Sequence, residues 1–320
     1  MTGKNEIINN CLLTKSNSQK KKKVVFILGP TGVGKTSFSI KLAKFFNGEI
    51  ISADSVQVYK EFDIGSAKIT EEEMENIKHY GLNLVSPKEE FSVYDYVVFT
   101  KEKINEINSK GKLPIIVGGT GLYVKALVEN YNFGGTEKHD EFREKIEKDI
   151  EEKGLDFVFG ELQKINPDIS NKIDRFNKVR VIRAMEISLF GENQTKKETN
   201  EFDFKIFALN MERSKLYERI NKRVDIMMNN GLVDEVKRLY DKYGYCQPMR
   251  AIGYKEVVDY INSKCSIEEM VEKVKQHSRN YAKRQITFLK GMNNVEFIDV
   301  ENKDEAFNCM KKEIEKWLAM

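Results

Sequence analysis

The segment Gly29-Pro30-Thr31-Gly32-Val33-Gly34-Lys35-Thr36 constrains this chain more than any other. It follows an apolar run of strand length, Val24–Leu28, and precedes Ser37–Phe46, whose pattern is helical and stops at Asn47-Gly48. A strand, a glycine-rich turn ending in Gly-Lys-Thr and a helix together make a phosphate cradle, the P-loop. The glycines let backbone N–H groups curl around phosphate oxygens, and the helix N-terminus adds its positive dipole. Lys35 supplies a point charge, and the Thr36 hydroxyl can hold Mg2+. The uninterrupted apolar run reads as a parallel strand buried on both faces.

The alternation continues. Glu49–Ser52 and Leu113–Val117 read as strands, Tyr94–Ser109 as a helix halted by Gly111, and Gly121–Val128 as the start of another. This spacing predicts an α/β core, a doubly wound parallel sheet flanked by helices with right-handed crossovers. The pattern breaks near Asn130. From Glu137 to Gly191 it is helical and highly charged; in Lys178–Phe190, Val179, Ile182, Met185 and Leu189 recur at helical spacing, with Arg180 and Arg183 on another face. A strand returns at Phe204–Leu209. Leu216, Ile220, Val224, Leu232, Val236 and Leu239 then mark an amphipathic helical region, Glu268–Leu289 a second one, and Val295–Ile298 a late strand. The expected organisation is a disordered tail at 1–22, a P-loop α/β core from 23–130 and 204–320 with C-terminal helices, and an all-helical insertion at 131–203.

With 320 residues, 40% of them apolar, the chain can bury a sizeable core. No apolar run approaches membrane-span length, and Met1–Lys23 lacks the apolar region of a signal peptide, so the cytoplasm is the default location. Cys11, Cys246, Cys265 and Cys309, like His79, His139 and His277, are scattered without metal-ligand spacing. The net charge is only +3, but two stretches are locally basic. Lys172, Arg175, Lys178, Arg180 and Arg183 stand against one acid, Asp174. Lys273, Lys275, Arg279, Lys283, Arg284 and Lys290 stand against none. Each stretch is either a solvated helix face or a site for a polyanion.

A P-loop specifies phosphate, not ATP. Enzymes that hydrolyse nucleotides use an apolar strand ending in a metal-binding Asp. Here Leu113–Val117 ends in Gly118-Gly119-Thr120-Gly121, and the one run ending in Asp, Glu49–Asp54, is interrupted by Ser52, which argues against hydrolysis. Asp54 falls just past the second strand, beside the P-loop on the ligand side of such a sheet; it is either a proton acceptor or a turn residue. The Gly118–Gly121 loop offers a second backbone-lined approach to the same crevice, with the Thr120 hydroxyl as a contact, or else tight strand–helix packing. Arg223, four residues after Arg219, is either a second cation on a pyrophosphate or a solvated helix arginine.

Eight segments in order resemble the tRNA dimethylallyltransferase (isopentenyl-tRNA transferase) family. They are GPTGVGKTSFSIKLA at 29–43, ISADSVQVYKEFDIGSAK at 51–68, FSVYDY at 91–96, VGGTGLYVKAL at 117–127, RVIRAMEI at 180–187, RINKRVDIMMNNGLVDEV at 219–236, AIGYKE at 251–256 and AKRQITFLKG at 282–291. They span nearly everything from Val24 to Gly291; the tail and the last residues carry little of the likeness.

The resemblance implies that the P-loop holds the pyrophosphate of dimethylallyl diphosphate, with Mg2+ at Thr36. The dimethylallyl group would pass to N6 of the adenosine at position 37, next to the anticodon, in tRNAs reading codons that begin with U. Asp54 matches the family's aspartate on that amine, Thr31 and Thr36 its P-loop threonines, and Arg223 its pyrophosphate arginine. By the same resemblance the tRNA-contact stretches are Asp54-Ser55-Val56-Gln57, Val179-Arg180-Val181-Ile182-Arg183 and Arg250-Ala251-Ile252-Gly253-Tyr254-Lys255, with Thr120 and Arg143 as further contacts. The insertion would grip the anticodon stem-loop, and a monomer is expected. The chain departs from the family at Gly65-Ser66-Ala67-Lys68-Ile69, where GTAKP is usual, and at Val179, where a more polar residue is usual. Two rival readings are an ATP-using P-loop kinase, or an isopentenyltransferase acting on a free nucleotide, and an RNA-binding protein with a vestigial loop. The helical insertion argues against the free-nucleotide enzyme, and intact Lys35, Thr36 and Asp54 argue against the vestigial loop.

Overall fold

The computed structural model of the chain describes residues 21–131, 133, 139–191 and 201–320. Of the tail expected at 1–22, only Lys21 and Lys22 fall within these, and Lys22 opens the first strand. Two compact units are present, Met1–Val128 with Asn200–Met320, and Glu129–Thr199.

In chain order the first unit begins with β1 (Lys22–Leu28), α1 (Lys35–Phe45), β2 (Gly48–Ala53), β3 (His79–Tyr80), α2 (Val93–Ser109), β4 (Leu113–Gly118) and α3 (Gly121–Val128). The second unit holds α4 (Asp140–Lys153), α5 (Leu155–Ile165), α6 (Pro167–Ser170) and α7 (Lys178–Phe190). The first then resumes with β5 (Phe202–Asn210), α8 (Arg213–Asn229), α9 (Leu232–Tyr243), a 3-10 turn (Gln247–Arg250), α10 (Tyr254–Ile261), α11 (Ile267–Lys290), β6 (Val295–Asp299) and α12 (Lys303–Leu318).

The six strands form one sheet in the order β3-β2-β4-β1-β5-β6, and every pairing is parallel. Val24 to Leu28 are all essentially inaccessible, as a central strand covered on both faces requires. Burial of five such side chains contributes roughly 1.5–3 kcal/mol each. Helices α1 and α12 pack on the sheet, placing Phe38, Leu42, Ala306, Met310 and Ile314 in a common core with Val25 and Ile27. The second unit has its own small core, in which Ile146, Val158, Leu162, Val181, Ile182 and Met185 meet. Among the described residues no helix is long and apolar enough to cross a membrane.

Several boundaries differ from the sequence reading. The returning strand starts at Phe202 rather than Phe204, because Phe202 is buried and pairs with Lys22 of β1. Residues 202–203 therefore belong to the sheet and not to the insertion. The amphipathic region 216–239 is two helices, broken at Asn230-Gly231. The last residues, which carried no sequence signal, form α12, locked by a hydrogen bond from Trp317 Nε1 to Asp203 Oδ2 (3.0 Å) and by Lys23 over the Trp317 ring.

Candidate active site

In the strand register, Leu28 of β1, Gly118 of β4 and Ala53 of β2 lie in one row at the carboxyl edge of the sheet. The residues that follow are Gly29, Gly119 and Asp54, so the P-loop, the second glycine loop and the aspartate leave the same edge. β4 lies between the strands that lead to Asp54 and to the P-loop, placing those strand ends two spacings, about 10 Å, apart, and across that distance the Asp54 charge acts on Lys35. Gly118 and Gly119 stand where neighbours approach the backbone closely. A Cβ on Gly118 would lie 2.2 Å from the Ala53 carbonyl oxygen, and one on Gly119 2.1 Å from Nε2 of Gln285.

The P-loop is held from several sides. Gly34 adopts φ +106°, caps α1 without a side-chain hydrogen bond, and so leaves the first-turn N–H groups to an anion. Lys35 Nζ donates to the Gly29 and Pro30 carbonyls (3.0 and 2.9 Å). Burial, with the Arg223 guanidinium close by, pulls the Lys35 ammonium down to about 7, against the opposing pull of Asp54. Gly29, Pro30 and Val33 are buried and shape the loop, Thr31 and Gly32 are half-buried, and the Thr36 side chain is exposed. Arg223 extends from α8; burial lowers its affinity for a proton, and Asp54 and Glu73 act to raise it. Arg219, one turn earlier, reaches to 3.5 Å from the place a Gly34 Cβ would occupy.

Asp54 Oδ1 accepts the N–H groups of Val56 (2.8 Å) and Gln57 (3.2 Å). The turn role and the site position therefore coexist: the turn aims the carboxylate. Ser55 N–H donates to the Thr120 hydroxyl (3.2 Å), and the Thr120 N–H to the Ala53 carbonyl (3.2 Å). Gln57 is tied to Ser52 and to the Ser66 carbonyl. Tyr281 of α11 faces Asp54, Thr120 and Gln285, and its burial pushes the phenol up.

The other expected contact stretches separate into exposed and interior residues. In α7, Val179 and Arg180 are exposed, whereas Val181 and Ile182 point into the helical core and offer no side chain to a ligand. Arg143 and Arg183 converge on Glu186, which is wholly buried. Arg143 makes two hydrogen bonds to it (3.0 and 2.7 Å), Arg183 another, and the His139 N–H a fourth (2.7 Å). Burial would raise the Glu186 carboxyl, but these donors hold it at about 2. In the 250–255 stretch Arg250 is exposed, and Ala251, Ile252 and Lys255 are half-buried. Gly253 and Tyr254 are interior: the Gly253 N–H donates to Glu256 (2.7 Å), and the Tyr254 hydroxyl to Glu235 (2.8 Å). Glu235 also accepts the Ile64 and Gly65 N–H groups (2.7 and 3.1 Å). Of the α11 basic stretch, Lys275 and Arg279 are engaged by Asp225 (2.8 Å) and Asn221 (2.6 Å) of α8, leaving Lys273, Lys283, Arg284 and Lys290 exposed.

Gln285, Glu186 and Glu235 carried no assignment in the sequence. The available signal was their type: polar residues on the apolar side of an amphipathic helix, such as Gln285 in the stripe Met270, Val274, Ala282, Leu289.

Fold and site together define a P-loop α/β protein with a helical unit spliced between its fourth and fifth strands. The IPP transferase family model matches residues 57–292. A tRNA dimethylallyltransferase of Bacillus anthracis is 44% identical over 299 residues, covering 91% of this chain and 95% of that one. Among solved structures, the full-length tRNA isopentenylpyrophosphate transferase of Bacillus halodurans is 41% identical, with TM-score 0.70 over 92% of this chain and 98% of that one. A eukaryotic dimethylallyltransferase acting on tRNA is 30% identical, with TM-score 0.75 over 88% of this chain and 75% of that one. The chain belongs to the IPP transferase family.

Proposed function

We propose that this chain is a tRNA dimethylallyltransferase, moving the five-carbon group of dimethylallyl diphosphate to N6 of the adenosine at position 37 in the anticodon stem-loop. The observation that carries the reading is the shared carboxyl edge: two cations, Lys35 and Arg223, stand at the phosphate cradle, and one carboxylate, Asp54, leaves the same edge and acts electrostatically on both. An exocyclic amine is a weak nucleophile because its lone pair is delocalised into the ring. Asp54 accepts a hydrogen bond from N6 and takes its proton as the N6–carbon bond forms. The allylic C–O bond breaks, and its electron pair leaves on the diphosphate. Lys35, Arg223 and the N–H groups of the cradle oppose that charge, each supplying on the order of 2–4 kcal/mol.

Among the described residues no group of three or more acidic, histidine or cysteine side chains is placed to hold a metal ion. Beside the cradle the exposed Thr36 hydroxyl is the side-chain oxygen that would hold a metal; the neighbouring Ser37 hydroxyl is turned back onto the Gly34 carbonyl (3.0 Å). An oxygen donor of that kind would suit Mg2+, a hard cation that takes oxygen ligands. When bound there it supplies further positive charge against the leaving group.

Arg180 and Val179 on the helical unit, with Arg143 and Arg183 braced on Glu186, are the surface we assign to the RNA backbone; Ser55, Gln57 and Thr120 are assigned to the nucleotide. The adenine must leave its stack to reach Asp54, at a cost of a few kcal/mol that backbone contacts offset. The test is to incubate the chain with labelled dimethylallyl diphosphate, Mg2+ and an anticodon stem-loop. Label on N6 of the adenosine is expected; tight ATP binding with no label transferred would favour a kinase instead.

A further inference from the structure

Beyond the ends of β1 and β4 the ladder of backbone hydrogen bonds stops, after Leu28↔Gly118. The P-loop and the second glycine loop then diverge. One side chain spans them. Gln285, 7% exposed on α11, accepts the Thr31 N–H on Oε1 (2.9 Å) and donates from Nε2 to the Gly119 carbonyl (2.9 Å). Its primary amide acts as a surrogate peptide that carries the ladder one step past the strands. One helical turn earlier Tyr281 faces the Thr120 hydroxyl, which in turn accepts the N–H of Ser55, next to Asp54. A single face of α11 thus touches the cradle, the second glycine loop and, through Thr120, the aspartate loop.

We propose that Gln285 is a positioning residue for group transfer, setting the register of the phosphate cradle against the Gly119–Thr120 loop and thereby the distance from donor to Asp54. The proposal rests on the transferase reading above. It also explains Gly119: any side chain there would collide with the Gln285 amide.

The near-isosteric Gln285→Met removes both hydrogen bonds with little change of volume. In the full chain we expect kcat to fall at least tenfold, KM for the stem-loop to stay within threefold, and the affinity for inorganic diphosphate, titrated without RNA, to fall at least fivefold. A folded Gln285→Met protein with kcat and diphosphate affinity both within twofold of the parent overturns the proposal. Gly119→Ala supplies a second route: alone it should fail to bind diphosphate, and paired with Gln285→Ala it should regain its melting temperature but not its kcat. Recovery of kcat in that pair refutes a positioning role. If the parent chain transfers no label, the transferase reading fails by itself, and the diphosphate titration still decides whether Gln285 sets the cradle. Should Gln285→Met not fold, Tyr281→Phe, which removes one hydroxyl, is expected to lower kcat at least threefold, and an unchanged kcat counts against the proposal.

Discussion

Asp54 engages its own loop through one carboxylate oxygen, with Val56 and Gln57 as donors. Asparagine would keep that acceptor and lose the capacity to take a proton. Asp54→Asn is therefore expected to slow single-turnover transfer by about 10²–10⁴-fold while stem-loop affinity, read by filter binding, stays within threefold. Lys35 makes a second prediction. In the free protein its ammonium titrates at about 7 because burial and Arg223 disfavour the charge. A bound diphosphate favours the charged form and raises that value, so binding above pH 7 takes up a proton. Calorimetry of inorganic diphosphate binding at pH 8, in buffers of different ionisation enthalpy, should report uptake that disappears in Lys35→Met. Absence of uptake in the parent would mean the lysine is already charged.

At the scale of elements, α7 separates two kinds of residue that a contiguous motif conflates. Arg180→Ala should reduce the slope of log affinity against log salt by about 0.7–0.9 for stem-loop binding, the share of one phosphate contact. Val181→Ala should leave that slope unchanged and cost roughly 2 kcal/mol of stability, since Val181 is fully buried. A lowered slope in Val181→Ala, or an unchanged one in Arg180→Ala, would contradict this partition. The stretch matched by resemblance was legible as a helix, from the recurrence of Val179, Ile182, Met185 and Leu189, but that recurrence counted Val179 and Leu189, both exposed, with the interior face. The structure turns Val181 inward instead, because the 3.6-residue repeat leaves neighbouring positions on either side of a narrow core boundary. Periodicity likewise missed Gln285: an amide on an apolar stripe looks like noise until its two partners, 254 and 166 residues away in the chain, are brought to it.

Over the whole molecule, the P-loop, the parallel strands and the break into a helical unit were readable because each is a local pattern. Strand order was not. Nothing local in Leu113–Gly118 says that it inserts between β1 and β2, nor that Lys303–Leu318 covers the sheet. The second unit offers a stability test. Glu186 titrates at about 2 in the folded chain, against 4.5 for an ordinary glutamate. A carboxyl depressed by folding stabilises fully above its unfolded value and loses that contribution as pH falls toward the folded one. The stability difference between the parent and Glu186→Gln should thus be on the order of 3 kcal/mol at pH 6 and shrink steadily from pH 4.5 to near 2. Urea titrations of the full chain followed through the helical signal measure it; a difference independent of pH would mean that the arginines do not depend on the charge.

The two bare glycines at the end of β4 have a last consequence. A side chain on either would meet what already stands there, the Ala53 carbonyl at Gly118 and the Gln285 amide at Gly119, so the end of that strand has to be bare backbone. The strand is thereby a spacer of fixed width: α11 and β2 close in on it, while Asp54 and the P-loop leave the sheet from strands that are not neighbours.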